Sequence, residues 1–176
     1  MKQNSDRNLV LIGFMGCGKS ALASALGSRQ HMQVVEMDEM IAEQQGMSIP
    51  EIFDRYGEEY FRNLETALLE QLQVRKGCVI SCGGGVPLRE ENVRKLKQIG
   101  LVVLLTASPE TIYSRTQHST DRPNLKNRKS PAAIAELLEQ RRPHYEAAAD
   151  CVLSTDNRSI QELCNELIRL LHQEPN

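Results

Sequence analysis

The stretch that most limits what this chain can fold into is Gly13-Phe14-Met15-Gly16-Cys17-Gly18-Lys19-Ser20, set between a short apolar run and an amphipathic segment. It fits the pattern of glycine, four residues, glycine, lysine, then serine or threonine, which has meaning when a strand precedes it and a helix follows. The flanks supply both: 8–12 reads as a buried strand and 19–29 as a helix. Glycines at 13, 16 and 18 let the backbone curl until successive N–H groups converge on an anion. The helix that follows adds the positive end of its dipole. Lys19 is then placed for the β- and γ-phosphates of a nucleotide and the Ser20 hydroxyl for Mg²⁺. This implies ATP or a similar nucleotide as ligand, without choosing between kinase, GTPase and ATPase. Cys17 lies among these amides, which favour a thiolate; a small residue that merely fits is the plainer reading.

Beyond this loop, short apolar runs alternate with longer amphipathic segments, the pattern of a parallel sheet covered by helices. Strands are expected at 33–37, 78–81, 101–105 and 151–153. Ser48 with Glu51 three residues on is a capping box, opening a short helix to about 55. A longer helix follows over 58–75, its core stripe formed by Phe61, Leu64, Leu68, Leu69 and Leu72. Further helices are expected at 89–98, from Ser108-Pro109, from Ser130-Pro131 to about 149, and from Ser159 with Glu162 to about 172. The polar, basic segment 116–130 has no periodicity and reads as a mobile loop. The fold class that results is α/β: a three-layer α/β/α sandwich around about five parallel strands.

With 176 residues, one domain suffices. A net charge of -2 gives no reason to expect nucleic acid or an anionic membrane as partner. An anionic ligand must therefore be held by locally placed groups. No apolar stretch approaches the roughly 20 residues of a membrane span, and the polar start lacks the core of a signal peptide. The five cysteines are widely spaced with no C-x-x-C, which suits reduced thiols and a cytoplasmic setting, not a zinc site.

Residues for a second substrate follow the strands. Glu36 and Asp38 end the second strand, and their two-residue spacing puts both on one side of extended backbone beside the phosphate loop. One carboxylate suits Mg²⁺ and the other an attacking hydroxyl, unless Asp38 is only a helix cap. Arg62 and Glu65 form either a surface ion pair or an inward arginine poised to grip a carboxylate. Gly83, Gly84 and Gly85 close the third strand and leave backbone open to a ligand. Arg115 and Arg122 flank or lie in the polar loop, where a lid would bring an arginine to the transferring phosphoryl group. Of the adjacent Arg141 and Arg142, one is expected to face the pocket and the other solvent.

In order and spacing these pieces resemble the shikimate kinase family along nearly the whole chain: the phosphate loop, a D-x-D strand end, Phe61-Arg62-x-x-Glu65, the glycine triplet, Arg122-Pro123, and Arg141-x-Pro143-x-Tyr145. The resemblance implies a P-loop kinase fold, transfer of the γ-phosphoryl of ATP to the 3-hydroxyl of shikimate, and Mg²⁺ as cofactor. It implies a single kinase domain with a shikimate-binding region over about 38–75 and a lid over about 116–130, acting as a monomer. By position, Asp38 binds and activates the hydroxyl, while Arg62 and Arg141 bind the shikimate carboxylate with Gly83, Gly84 and Gly85 around the ring. Arg122 descends onto the phosphates, Arg115 lies near the adenine, and Cys17 and Ala21 sit in the ATP-binding loop. Three positions depart from the family. Glu36 replaces the first aspartate, Ala21 stands where threonine is frequent, and Asn124 follows Arg122-Pro123 in place of leucine. The rival readings are a gluconate-type sugar kinase, a nucleoside monophosphate kinase, and a catalytically silent binding domain.

Overall fold

The computed structural model describes residues 6–118 and 130–173. Five parallel strands form one sheet in the order β2-β3-β1-β4-β5: β1 (Asn8–Ile12), β2 (Gln33–Glu36), β3 (Cys78–Ser81), β4 (Gly100–Thr106) and β5 (Cys151–Ser154). The helices are α1 (Lys19–Gln30), α2 (Met37–Gln45), α3 (Ile49–Leu72), α4 (Glu90–Ile99), α5 (Pro109–Thr116), α6 (Pro131–Ala148) and α7 (Ile160–His172). A 3₁₀ turn spans Val86–Leu88.

Strand order and the right-handedness of parallel crossovers decide the layers. The chain leaves β1 through α1 toward β2, on one side of the sheet. From β2 to β3, β3 to β4 and β4 to β5 it moves the opposite way, so α3, α4 and α6 lie on the other face. The packing agrees, with α1 against α7 on one side and α3 and α6 against α4 on the other. Every residue of β1 is buried, as a central strand covered on both faces requires.

Local signals placed most helix starts. Ser48 and Ser159 both form reciprocal capping boxes, with Glu51 and Glu162. The two helices expected over 48–75 run on as α3, kinked at Gly57 (φ 82). One expectation is corrected. Asp38 does not sit on extended strand, because β2 ends at Glu36 and Asp38 lies in the first turn of α2. Met37 and Ile41, one turn apart, are buried, and Gly46 in a left-handed conformation ends the helix. Those two apolar anchors outweigh strand continuation, and the start of the helix turns Asp38 back toward the sheet end. The expected lid falls largely on 119–129, and Arg122 with it, outside the described residues.

Candidate active site at the carboxyl end of the sheet

Connections leave β1 and β3 in opposite directions, which opens a crevice beyond their carboxyl ends. A cleft of about 210 Å³ occupies it. The loop after β1 contributes Gly16, Gly18, Lys19, Ser20 and Ala21, while the end of β2 and start of α2 contribute Glu36 and Asp38. The end of β3 and its loop contribute Ser81, Cys82, Gly83 and Gly84, and α5 contributes Arg115.

The phosphate loop takes its shape from its glycines. Gly16 (φ 80) and Gly18 (φ 97) hold left-handed conformations that a side chain would strain, and Gly18 is the N-cap of α1. Lys19 is buried, its Nζ donating to the carbonyls of Gly13 (2.7 Å) and Phe14 (3.0 Å). The ammonium is thus held over the loop. Arg115 donates to the Gly16 carbonyl at 3.0 Å and to Thr155 Oγ1 at 3.4 Å, and the Thr155 hydroxyl lies 3.1 Å from the Cys17 carbonyl. The phosphate loop is thereby tied to the end of β5. Cys17 itself is 1% exposed, and burial pushes its thiol above the usual range despite Lys19 and Arg115 nearby. That environment favours the neutral thiol and the packing role over a reactive thiolate.

At the mouth of the loop Ser20 Oγ donates to Glu36 Oε2 at 3.1 Å. Burial raises the Glu36 carboxyl, and hydrogen bonds from Ser81 and Ser20 offset part of this while Glu39 and Asp38 add to it. The carboxylate of Glu36 therefore meets the serine of the phosphate loop.

Across the cleft, Arg62 is no surface residue. It is 9% exposed and Glu65 1% exposed, and Arg62 Nη1 donates to Glu65 Oε2 at 2.7 Å. Glu58 takes a second bond from Arg62 at 3.1 Å. The guanidinium packs against Gly85, where any Cβ would overlap it. Glu65 Oε1 is buried and has no hydrogen-bond partner among the described residues. A Cβ on Gly83 would come within 2.8 Å of that oxygen and 3.0 Å of Asp38 Oδ1, so the two carboxylates flank the same glycine. Burial chiefly, with Asp38 adding, pushes the Glu65 carboxyl up to about 7 against the pull of Arg62.

Arg141 completes this side. Its guanidinium stacks on the Phe14 ring at 5.3 Å and approaches Gly84, whereas Arg142 turns outward to Glu139. Tyr145, one turn further along α6, donates to the Gly84 carbonyl at 2.7 Å and accepts from Arg141. Tyr145 and Thr155 carried no separate assignment in the sequence. The spacing Arg141-x-x-x-Tyr145 is the one trace of Tyr145, since residues four apart share a helix face.

Comparison with known proteins names this arrangement. A family model described as shikimate kinase matches residues 15–172. The shikimate kinase of Geobacter sulfurreducens is 40% identical over 170 residues, covering 97% of this chain and 93% of that protein. The solved shikimate kinase from Acinetobacter baumannii, in complex with shikimate, superposes with a TM-score of 0.89 at 31% identity, over 96% of this chain and 94% of that one. A gluconokinase from Sinorhizobium meliloti reaches a TM-score of 0.57 at 17% identity, a likeness of fold alone. A phosphate loop facing paired arginines, a family match over most of the length and relatives near 40% identity have one consequence: this chain belongs to the shikimate kinase family.

Proposed function

We propose that this chain transfers the γ-phosphoryl group of ATP to the 3-hydroxyl of shikimate, giving shikimate 3-phosphate and ADP on the route to chorismate and the aromatic amino acids. The observation that carries the reading is the convergence of Asp38, Arg62 and Arg141 on the glycines 83–85, beside the phosphate loop. Two guanidinium groups at separate points on this backbone suit a carboxylate on a compact ring. The carboxylates of Asp38 and Glu65, flanking Gly83, suit its hydroxyls.

In this reading Asp38 accepts the hydroxyl proton as the oxygen attacks. The N–H groups of the loop hold the β- and γ-phosphates, with Lys19 withdrawn from the Gly13 and Phe14 carbonyls onto them. Arg115 lies against the adenine end, and Arg122 would cover the phosphates from the segment outside the described residues. The Ser20 hydroxyl and Glu36 carboxylate, 3.1 Å apart, are hard oxygen donors that fit Mg²⁺. When bound, Mg²⁺ neutralises charge on the β- and γ-phosphates.

A single kinase domain, with residues 38–75 serving the acceptor, a monomeric state and a cytoplasmic setting belong to the same reading. No helix among the described residues is long and apolar enough to cross a membrane. A coupled assay of ADP release with shikimate, gluconate or nucleoside monophosphates tests the function. Turnover with shikimate alone is expected, and ATP binding without shikimate-dependent ADP release would overturn it.

A further inference from the structure

We propose that Thr66 and Asn92, neither of which lines the cleft, are positioning residues that set the spacing between the Arg62 guanidinium and the glycine backbone it faces. The inference rests on the shikimate reading above. Asn92, in the first turn of α4, is fully buried, yet both ends of its amide are used. Nδ2 donates to the Val86 carbonyl at 3.0 Å, and Oδ1 accepts from Thr66 Oγ1 at 2.8 Å. Thr66 stands one turn beyond Arg62 on α3, and its hydroxyl also lies 3.1 Å from the Arg62 carbonyl. Val86 directly follows Gly85, against which the Arg62 guanidinium is packed.

The contacts therefore close a ring: Arg62 main chain, Thr66, Asn92, Val86, Gly85 and back to the Arg62 side chain. An arginine side chain is long and has many rotamers, so its tip needs independent supports to stay at one height over a surface. Here the support at its base, Thr66, and the support of the opposing backbone, Val86, are joined through one buried amide. A buried amide with both ends bonded has a single good orientation, so the ring transmits a fixed distance. The hydroxyl carries one proton for two acceptors, Asn92 Oδ1 and the Arg62 carbonyl, so the Arg62 turn and α4 share it. The distance held in this way governs how snugly a carboxylate fits between Arg62 and the glycines, and none of the five residues of the ring belongs to the phosphate loop.

The test compares the full-length wild type with Thr66→Val, Thr66→Ser and Asn92→Asp, by shikimate calorimetry and by steady-state kinetics in both substrates. Thr66→Val keeps the shape and removes the hydroxyl. It is expected to weaken shikimate binding and raise KM for shikimate by about fivefold, the worth of one neutral hydrogen bond. KM for ATP stays unchanged, and Thr66→Ser restores the wild-type value. Asn92→Asp, which removes the donor to Val86, is expected to show the same split. Unchanged shikimate affinity in a folded Thr66→Val variant would overturn the proposal, as would equal changes in both KM values, the mark of a merely structural role. A wild type that binds shikimate without turnover would instead defeat the functional reading, with the binding arm still deciding this one.

Discussion

In the proposed reading the phosphate cradle on the donor side of the cleft lies within eight consecutive residues, Gly13 to Ser20, and much of it is backbone. On the acceptor side Asp38, Arg62, the glycines 83–85 and Arg141 come from α2, α3, the loop after β3 and α6. The working groups there are side chains, held by Glu65, Glu58, Phe14 and Tyr145. A loop whose shape is written largely in its own φ angles depends on few distant residues, Arg115 and Thr155 among them. A site assembled from four elements depends on every contact that keeps those elements in register. Shikimate affinity should therefore respond to changes far from the cleft more than ATP affinity does.

The largest expected effect tests whether Asp38 belongs to the acceptor half. Asp38→Asn should lower kcat roughly a thousandfold, within the range for a lost general base, with the Kd for ATP within about twofold of wild type. Isothermal titration with ATP would break the division if nucleotide binding disappeared instead. Next in size, Arg62→Ala removes a charge-assisted contact and should weaken shikimate binding by about a hundredfold, leaving ATP affinity intact. Unchanged shikimate affinity would return Arg62 to a structural role.

Glu65 sharpens the comparison, because its carboxyl, 1% exposed, is the price of building the acceptor half from side chains. Its carboxyl titrates near 7 in the folded protein and near the ordinary 4.5 when unfolded. Between those values the folded state holds a proton that the unfolded state has lost, so stability falls as pH rises. The fall should amount to roughly 2 kcal/mol between pH 5 and 7, since a difference of one in pKa is worth about 1.4 kcal/mol. Glu65→Gln should flatten it, as measured by urea denaturation across that range. An equal slope in the variant would assign the pH dependence elsewhere.

The smallest effect is on the donor side. Thr155, 3% exposed, joins Arg115 to the Cys17 carbonyl of the phosphate loop. Thr155→Val should raise KM for ATP about fivefold and leave KM for shikimate alone, on the energy of a neutral hydrogen bond. A shift in the shikimate constant would show the halves to be coupled through β5.

Most of the architecture was legible because its signals are local. The capping pairs Ser48 with Glu51 and Ser159 with Glu162 act over three residues, and the apolar run of β4 reports burial on both faces. Helix α2 was not legible, since nine residues with two fully buried anchors give little periodicity, and the carboxylate at 38 reads equally well on a strand. The site divides the same way. Lys19 and Ser20 are named by their own motif, whereas Tyr145, Thr155 and Asn92 act on partners 61, 138 and 26 residues away.

By itself, then, the sequence determined the phosphate loop, the strand–helix alternation and the set of residues available to an acceptor, because backbone conformation and capping depend on near neighbours. Tertiary structure alone decided that Arg62 and Glu65 are buried against Gly85 and Gly83, that Arg141 rather than Arg142 turns inward, and that Asp38 enters from a helix. Burial, and the carboxyl and guanidinium behaviour that follows from it, is a property of what the rest of the chain places around a residue.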